Sequence, residues 1–239
     1  ANDFVINVAT ANGTGSQSSN LIILHSMFEM GVPVSGKNLF PSNISGLPTW
    51  FIIRASDKGY QAPGDITNIQ VIMNKDTWIN DLEKLEPGTI VVFNEDARMP
   101  VDREDCVALG MPMTKMARKI NPKLGRLISN MYYVGALAHL LKIEDDAIKK
   151  AVEAQFKGKE KAIELNLRAI SEGRSYAEEN WDFECEFYVE SRGKDPNSFL
   201  IEGNEATALG AIYGGINMLS WYPITPSSSL AESIIGWLP

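Results

Sequence analysis

The chain predicts an α/β fold built on a mainly parallel sheet with flanking helices. Short apolar runs rich in β-branched residues, such as Phe4–Ala9, Ile69–Met73 and Thr89–Phe93, alternate with stretches whose apolar residues recur at helical spacing. Turn residues such as Glu86-Pro87-Gly88 punctuate them. Strand and helix follow one another repeatedly, the order that parallel pairing through helical crossovers requires.

Each element has its own signal. Phe4–Ala9 predicts a strand, Asn12-Gly13-Thr14-Gly15 a loop, and Ser16 to Met30 a helix striped by Leu21, Leu24, His25 and Phe28. Trp50–Ile53 and Ile69–Met73 predict strands, Asp76–Leu85 a helix, Thr89–Phe93 a strand, and Cys106–Leu109 one more. Arg126–Leu141, Asp145–Gln155 and Lys159–Glu179 read as three helices packed on one edge of the sheet. Residues 182–197 hold Asp182, Glu184, Glu186, Glu190 and Asp195 with Gly193 and Pro196, and read as an exposed linker. A small-residue helix and the apolar helix Ser227–Trp237 follow. Too little surface could be buried there for an independent domain, so the polypeptide is expected to continue past Pro239.

With 239 residues, 44% of them hydrophobic, the chain can bury a sizeable core as one large domain or two small ones. A net charge of −8 without a basic cluster argues against nucleic acid as a partner. No apolar run reaches the roughly 18 residues of a spanning helix, so no membrane association is expected. The first residues lack a basic leader, which favours the cytoplasm. Cys106 and Cys185 are read as reduced thiols, too few for an iron–sulfur cluster, which takes four thiolates. His25 and His139 lie in apolar helical patterns without a second ligand at metal spacing, so no metal site is expected.

Two phosphate-binding patterns fall short. Gly13-Thr14-Gly15 precedes a helix, but Ser18 stands where a dinucleotide fingerprint has its third glycine, and no acid closes a second strand. A phosphate-binding turn remains open there. Gly31 to Lys37 matches the first seven places of a Walker A motif, but Asn38 replaces the magnesium-binding hydroxyl and Pro33 removes a backbone donor. ATP hydrolysis is excluded on those grounds.

Tyr222-Pro223-Ile224-Thr225-Pro226-Ser227 carries the most information. Pro226 drives Thr225 to an extended conformation, which describes an N-cap for the helix opening at Ser227. Two readings stay open: an ordinary helix start, or a carboxylate- or phosphate-binding site where the helix N–H groups stand beside the Thr225 hydroxyl. The string resembles the signature of the 2-oxoacid:ferredoxin oxidoreductases. Gly203-Asn204-Glu205-Ala206 before it, and the run from Ser35 through Trp50, are similar to that family too, in the form of alpha subunits with a gamma domain fused at the N-terminus.

The resemblance implies a gamma-type α/β domain with a helical extension over 1–181, a linker over 182–197, and over 198–239 the start of a thiamine-enzyme pyrimidine-type α/β domain. It implies oxidative decarboxylation of 2-oxoglutarate with coenzyme A, giving acyl-CoA, CO₂ and reduced ferredoxin. Pyruvate or a branched-chain 2-oxoacid is the alternative substrate, and a non-catalytic docking module the alternative role. Thiamine diphosphate, Mg²⁺ and a [4Fe-4S] cluster are then expected on or shared with a beta subunit, in a heterodimer or heterotetramer, and none held by this chain alone. Thr225 would bond the substrate carbonyl or carboxylate, held by Tyr222, Pro223, Ile224 and Pro226, with Ser227 as a further donor. Lys37, Asn38, Ser42 and Asn43 are candidates for contacts to coenzyme A or the cofactor cleft.

Overall fold

Strand β1 (Asp3–Ala11) carries two different ladders. On one side it pairs antiparallel with β3 (Pro48–Ser56), which pairs antiparallel with β2 (Val34–Leu39). On the other side β4 (Ile69–Ile72), β5 (Ile90–Asn94) and β6 (Val107–Met111) continue parallel to β1, giving the order β2-β3-β1-β4-β5-β6. The computed structural model describes residues 1–39 and 47–238. They divide into a first unit, Ala1–Asp195, and a second, Pro196–Pro239.

Burial explains the two kinds of pairing. Every residue of β4 is buried, as parallel strands covered on both faces are, whereas β3 alternates between half-buried and buried. One face of the sheet takes α1 (Ser16–Glu29), whose Ile22, Ile23, Leu24 and Met27 are buried. The other takes α2 (Trp78–Glu83), where Leu82 and Leu85 pack with Ile72, Val91 and Met99. Arg103 closes the end of α2 by donating to the Leu82 and Leu85 carbonyls at 2.8 and 3.1 Å.

Four further helices complete the first unit: α3 (Met113–Ile120), α4 (Gly125–Leu140), α5 (Asp145–Gln155) and α6 (Glu160–Asn180). α4 is buried almost throughout, and it packs against α1, α3 and α6. Its approach to α6 is set by glycine. A Cβ on Gly135 would fall on the Ile170 carbonyl oxygen, and one on Gly173 on the Tyr132 carbonyl oxygen.

Three sequence expectations need correction. Residues 34–39 form an edge strand, whose Gly36 has no room for a Cβ beside Phe51 Cζ at 2.8 Å and Leu24 Cδ2 at 2.9 Å. α3 had no sequence signal. Residues 182–190 are no free linker but an extended strap, with Cys185 and Val189 buried and the intervening acids exposed. Asn2 N–H donates to the Tyr188 carbonyl at 2.9 Å, Val189 N–H to Leu141 at 2.8 Å, and Arg192 N–H to Met30 at 2.8 Å. The two compact units part only after Asp195.

In the second unit α7 (Gly203–Tyr213) packs against α8 (Ser227–Trp237), burying Ala208, Ala231 and Ile234. No helix among the described residues is long and apolar enough to cross a membrane.

Two outcomes follow. Gly135→Ala should destabilise the first unit by about 3 kcal/mol, the upper range for overpacking, read as a lower urea midpoint; an unchanged midpoint would mean the helices are not held at this spacing. A broad-specificity protease should cut first within 195–199, which is exposed throughout. First cleavage inside 182–190 would show that the strap does not hold.

Candidate functional site

Two places carry the candidate residues, one in each unit. In the first, β1 ends at Ala11 and the chain turns through Gly13 (φ +82°) and Gly15 (φ +78°) into α1. Both are left-handed conformations that glycine adopts at no steric cost. Gly15 caps α1 without a side-chain bond, so the helix keeps its dipole end open. Thr14 folds back, its hydroxyl donating to the Ala11 carbonyl at 2.7 Å, while Asn130 of α4 donates to the Thr14 carbonyl at 2.8 Å. A cavity of about 220 Å³ opens here, lined among others by Asn12, Gly15, Ser16, Asn20, Asn38 and Thr49.

Asn38 is therefore brought to the turn that the glycine pattern marked. Thr49 shares its hydroxyl proton between Asn38 Oδ1 and the Leu39 carbonyl, both at 3.1 Å. Asn20 is buried and accepts from the Tyr133 hydroxyl at 2.9 Å; burial pushes that phenol well above its usual pKa. Lys37, one residue before Asn38 on β2, is exposed on the opposite face of the strand and does not join them. Ser42 and Asn43 lie outside the described residues. The Gly31–Lys37 run crosses from the end of α1 into β2 and forms no phosphate loop.

The second place is the turn 222–229. α8 begins at Ser227 with Pro226 as its N-cap and no side-chain cap bond. Thr225, joined to Pro226 by a cis peptide, is thus not the N-cap that the sequence predicts. Ser227 shares its hydroxyl proton between the Tyr222 and Ile224 carbonyls, both at 2.7 Å, so that proton is turned inward. Ile224 N–H also donates to Tyr222, at 2.8 Å. Asn204 of α7 donates to the Pro226 carbonyl at 3.0 Å and to Ser229 Oγ at 2.7 Å. Tyr222, Pro223, Ile224 and Thr225 are exposed. The Thr225 hydroxyl has no partner among the described residues. Asn20 and Asn130 were not singled out from sequence, where each is one polar residue among many, and Thr49 and Asn204, though inside family-like runs, were given no role there.

Residues 5–176 match the family described as pyruvate ferredoxin/flavodoxin oxidoreductase. The chain belongs to this family. It is 23% identical over 273 aligned residues to the alpha subunit of 2-oxoacid:ferredoxin oxidoreductase 2 of Aeropyrum pernix, covering 96% of this chain and 42% of that protein. A 40-residue stretch is 52% identical to the 2-oxoglutarate synthase subunit KorA of Archaeoglobus fulgidus, 17% of this chain and 12% of that one. The 2-oxoglutarate:ferredoxin oxidoreductase of Magnetococcus marinus, solved with 2-oxoglutarate, coenzyme A and succinyl-CoA bound, superposes with a TM-score of 0.85 at 28% identity, covering 99% of this chain and 41% of that one. The gamma subunit of a Geobacter sulfurreducens oxoacid ferredoxin oxidoreductase shares the fold, with a TM-score of 0.61 at 16% identity over 74% of this chain and 99% of its own. The chain spans about two-fifths of the length of the full-length alpha subunits it matches.

Because Thr225 caps nothing, Thr225→Val should leave the stability of α8 within about 0.5 kcal/mol, where loss of a cap residue costs about 1 kcal/mol. Hydrogen exchange across α8 measures this, and faster exchange by the larger amount would restore the cap role.

Proposed function

We propose that this chain serves in the alpha subunit of a 2-oxoacid:ferredoxin oxidoreductase whose substrate is 2-oxoglutarate. The reaction joins the decarboxylated acyl group to coenzyme A, releases CO₂ and passes two electrons to ferredoxin. The observation that carries the reading is the Thr225 hydroxyl, exposed and unbonded on a turn whose neighbouring carbonyls are occupied. A free donor on a fixed backbone is what orienting a 2-oxoacid needs. The likeness to the 2-oxoglutarate enzyme of Magnetococcus marinus and the KorA-like stretch support the choice of substrate.

In this reading residues 1–181 act as a gamma-type domain and 198–239 open the pyrimidine-type catalytic domain. Thr225 donates to the substrate, with Tyr222, Pro223, Ile224 and Pro226 shaping the turn. Ser227 holds that turn from inside. The neutral donors at the head of α1, Asn38 among them, fit an anionic or amide-bearing part of coenzyme A. Thiamine diphosphate, when bound, supplies the carbanion chemistry. Cys106 and Cys185 do not fit a [4Fe-4S] cluster: they are two thiols where four are needed, and burial pushes both up, away from the thiolate form. The reading therefore gives cluster, Mg²⁺ and diphosphate to a beta subunit in the cytoplasm.

The full-length alpha chain assembled with its beta subunit tests this, by 2-oxoacid-dependent reduction of ferredoxin with 2-oxoglutarate, pyruvate and branched-chain acids compared. Thr225→Val should lower kcat/KM about 10- to 150-fold, the equivalent of a hydrogen bond to a charged group of about 1.5–3 kcal/mol. Thr225→Ser keeps the donor and should retain far more activity. Equal turnover by wild type and Thr225→Val would remove Thr225 from the reaction, and preference for pyruvate would overturn the substrate.

A further inference from the structure

Most of the bonds that shape the turn 222–229 are local. Ser227 reaches back to residues 222 and 224, Ile224 N–H to Tyr222, and Ser228 N–H to Ile224 at 3.3 Å. Such bonds set the curvature of the turn but tie it to nothing outside itself. Asn204 does. From the first turn of α7 its amide nitrogen donates to the Pro226 carbonyl at 3.0 Å and to Ser229 Oγ at 2.7 Å. Ser229 Oγ in turn donates to the same Pro226 carbonyl at 3.1 Å. Both amide protons are thus spent on the Pro226–Ser227 peptide and on the first turn of α8.

Asn204 is itself firmly placed. Glu202 and Glu205 form a capping box around it, with Glu202 N–H donating to Glu205 Oε2 at 3.1 Å, and Thr207 donates to the Gly203 carbonyl at 2.8 Å. An acceptor one residue beyond the free hydroxyl is therefore held by a rigid helix start. We infer that Asn204 is a positioning residue for Thr225, fixing the Pro226–Ser227 peptide that follows the threonine-bearing turn. The inference rests on the reading that Thr225 meets the 2-oxoacid. Displacement of a reacting or orienting group by about 1 Å costs on the order of 100-fold in rate, so loosening this tie has a kinetic signature.

The assembled alpha–beta complex is the test material, with 2-oxoglutarate and ferredoxin as probes. Asn204→Ala should lower kcat/KM for 2-oxoglutarate about tenfold, mostly in kcat, with the KM for coenzyme A unchanged. Asn204→Asp keeps the shape but sets a carboxylate oxygen against the Pro226 carbonyl, and should lose at least as much. Asn204→Gln keeps the NH₂ group and should recover part of the loss. In a Thr225→Val background, Asn204→Ala should cost less than a further twofold, because the hydroxyl it positions is gone. A full tenfold loss in that background would make Asn204 a packing residue and overturn the inference. Normal kinetics of Asn204→Ala beside an impaired Thr225→Val would overturn it while leaving the Thr225 reading intact. Normal kinetics of Thr225→Val would sink that reading first. If Asn204→Ala fails to assemble, the isosteric Asn204→Asp enters the same double-mutant comparison, with the same outcomes deciding.

Discussion

The two ladders of β1 are the constraint on which the first unit depends. Antiparallel pairing with β3 lets a hairpin supply β2 and β3 on one side, whereas parallel pairing with β4 draws the chain across the sheet on the other. The connections therefore diverge at the carboxyl end of β1. Ligands of open α/β sheets are met where connections diverge in this way. Asn12 N–H is held by the Leu47 carbonyl at 2.8 Å on one flank, and Asn74 bonds the Thr10 carbonyl at 3.2 Å on the other. Between them the chain turns through two left-handed glycines into α1, and the cavity with Asn38 and Asn20 follows from that geometry.

The helical layer makes this end of β1 rigid. α4 reaches the turn through Asn130 and the first turns of α1 through Tyr133. Its own position is fixed by contact with α6 at Gly135 and Gly173, where backbone meets backbone. The strap adds a clasp: Asn2 both donates to and accepts from the backbone at Glu190, and Lys194 bonds Glu29 at 2.5 Å. Chain positions far apart in sequence are thereby tied around β1 and α1.

The parts legible in the sequence are those where periodicity and burial agree. β1, α1, β4, β5 and the helices α4, α5 and α6 fall within a few residues of their predicted bounds. β2 escaped because Ser35, Gly36, Lys37 and Asn38 are poor strand formers, and an edge strand buries too little to leave an apolar stripe. The strap escaped because its acids were weighed as composition. Trp181, Phe183, Cys185, Phe187 and Val189 alternate with polar residues at the period of an extended chain, a signal present but masked by charge. At the signature turn the helix start at Ser227 was legible, but proline rules alone placed the cap one residue early. Asn204 lies in the family-like run 203–206, but the sequence gives it no role, since the bond it makes reaches a residue 22 positions away.

Both places share one physical trait: the described residues that line them are uncharged. The cavity at α1 offers amides, hydroxyls and helix N–H groups. The turn offers Thr225 between occupied carbonyls. Neutral donors orient an anion through direction, and they hold it without the desolvation that a buried cation would bring. Their strength depends on already being in place when the ligand arrives, because a dipole that must reorganise returns little. In the proposed reading, the bonded carbonyls of Tyr222, Ile224 and Pro226 therefore matter as much as the Thr225 hydroxyl itself. Any of these three, left free, would compete for the Thr225 proton or repel the carboxylate that the proposed reading brings there. Ser227 and Asn204 occupy these three carbonyls, and the Thr225 hydroxyl has no partner among the described residues.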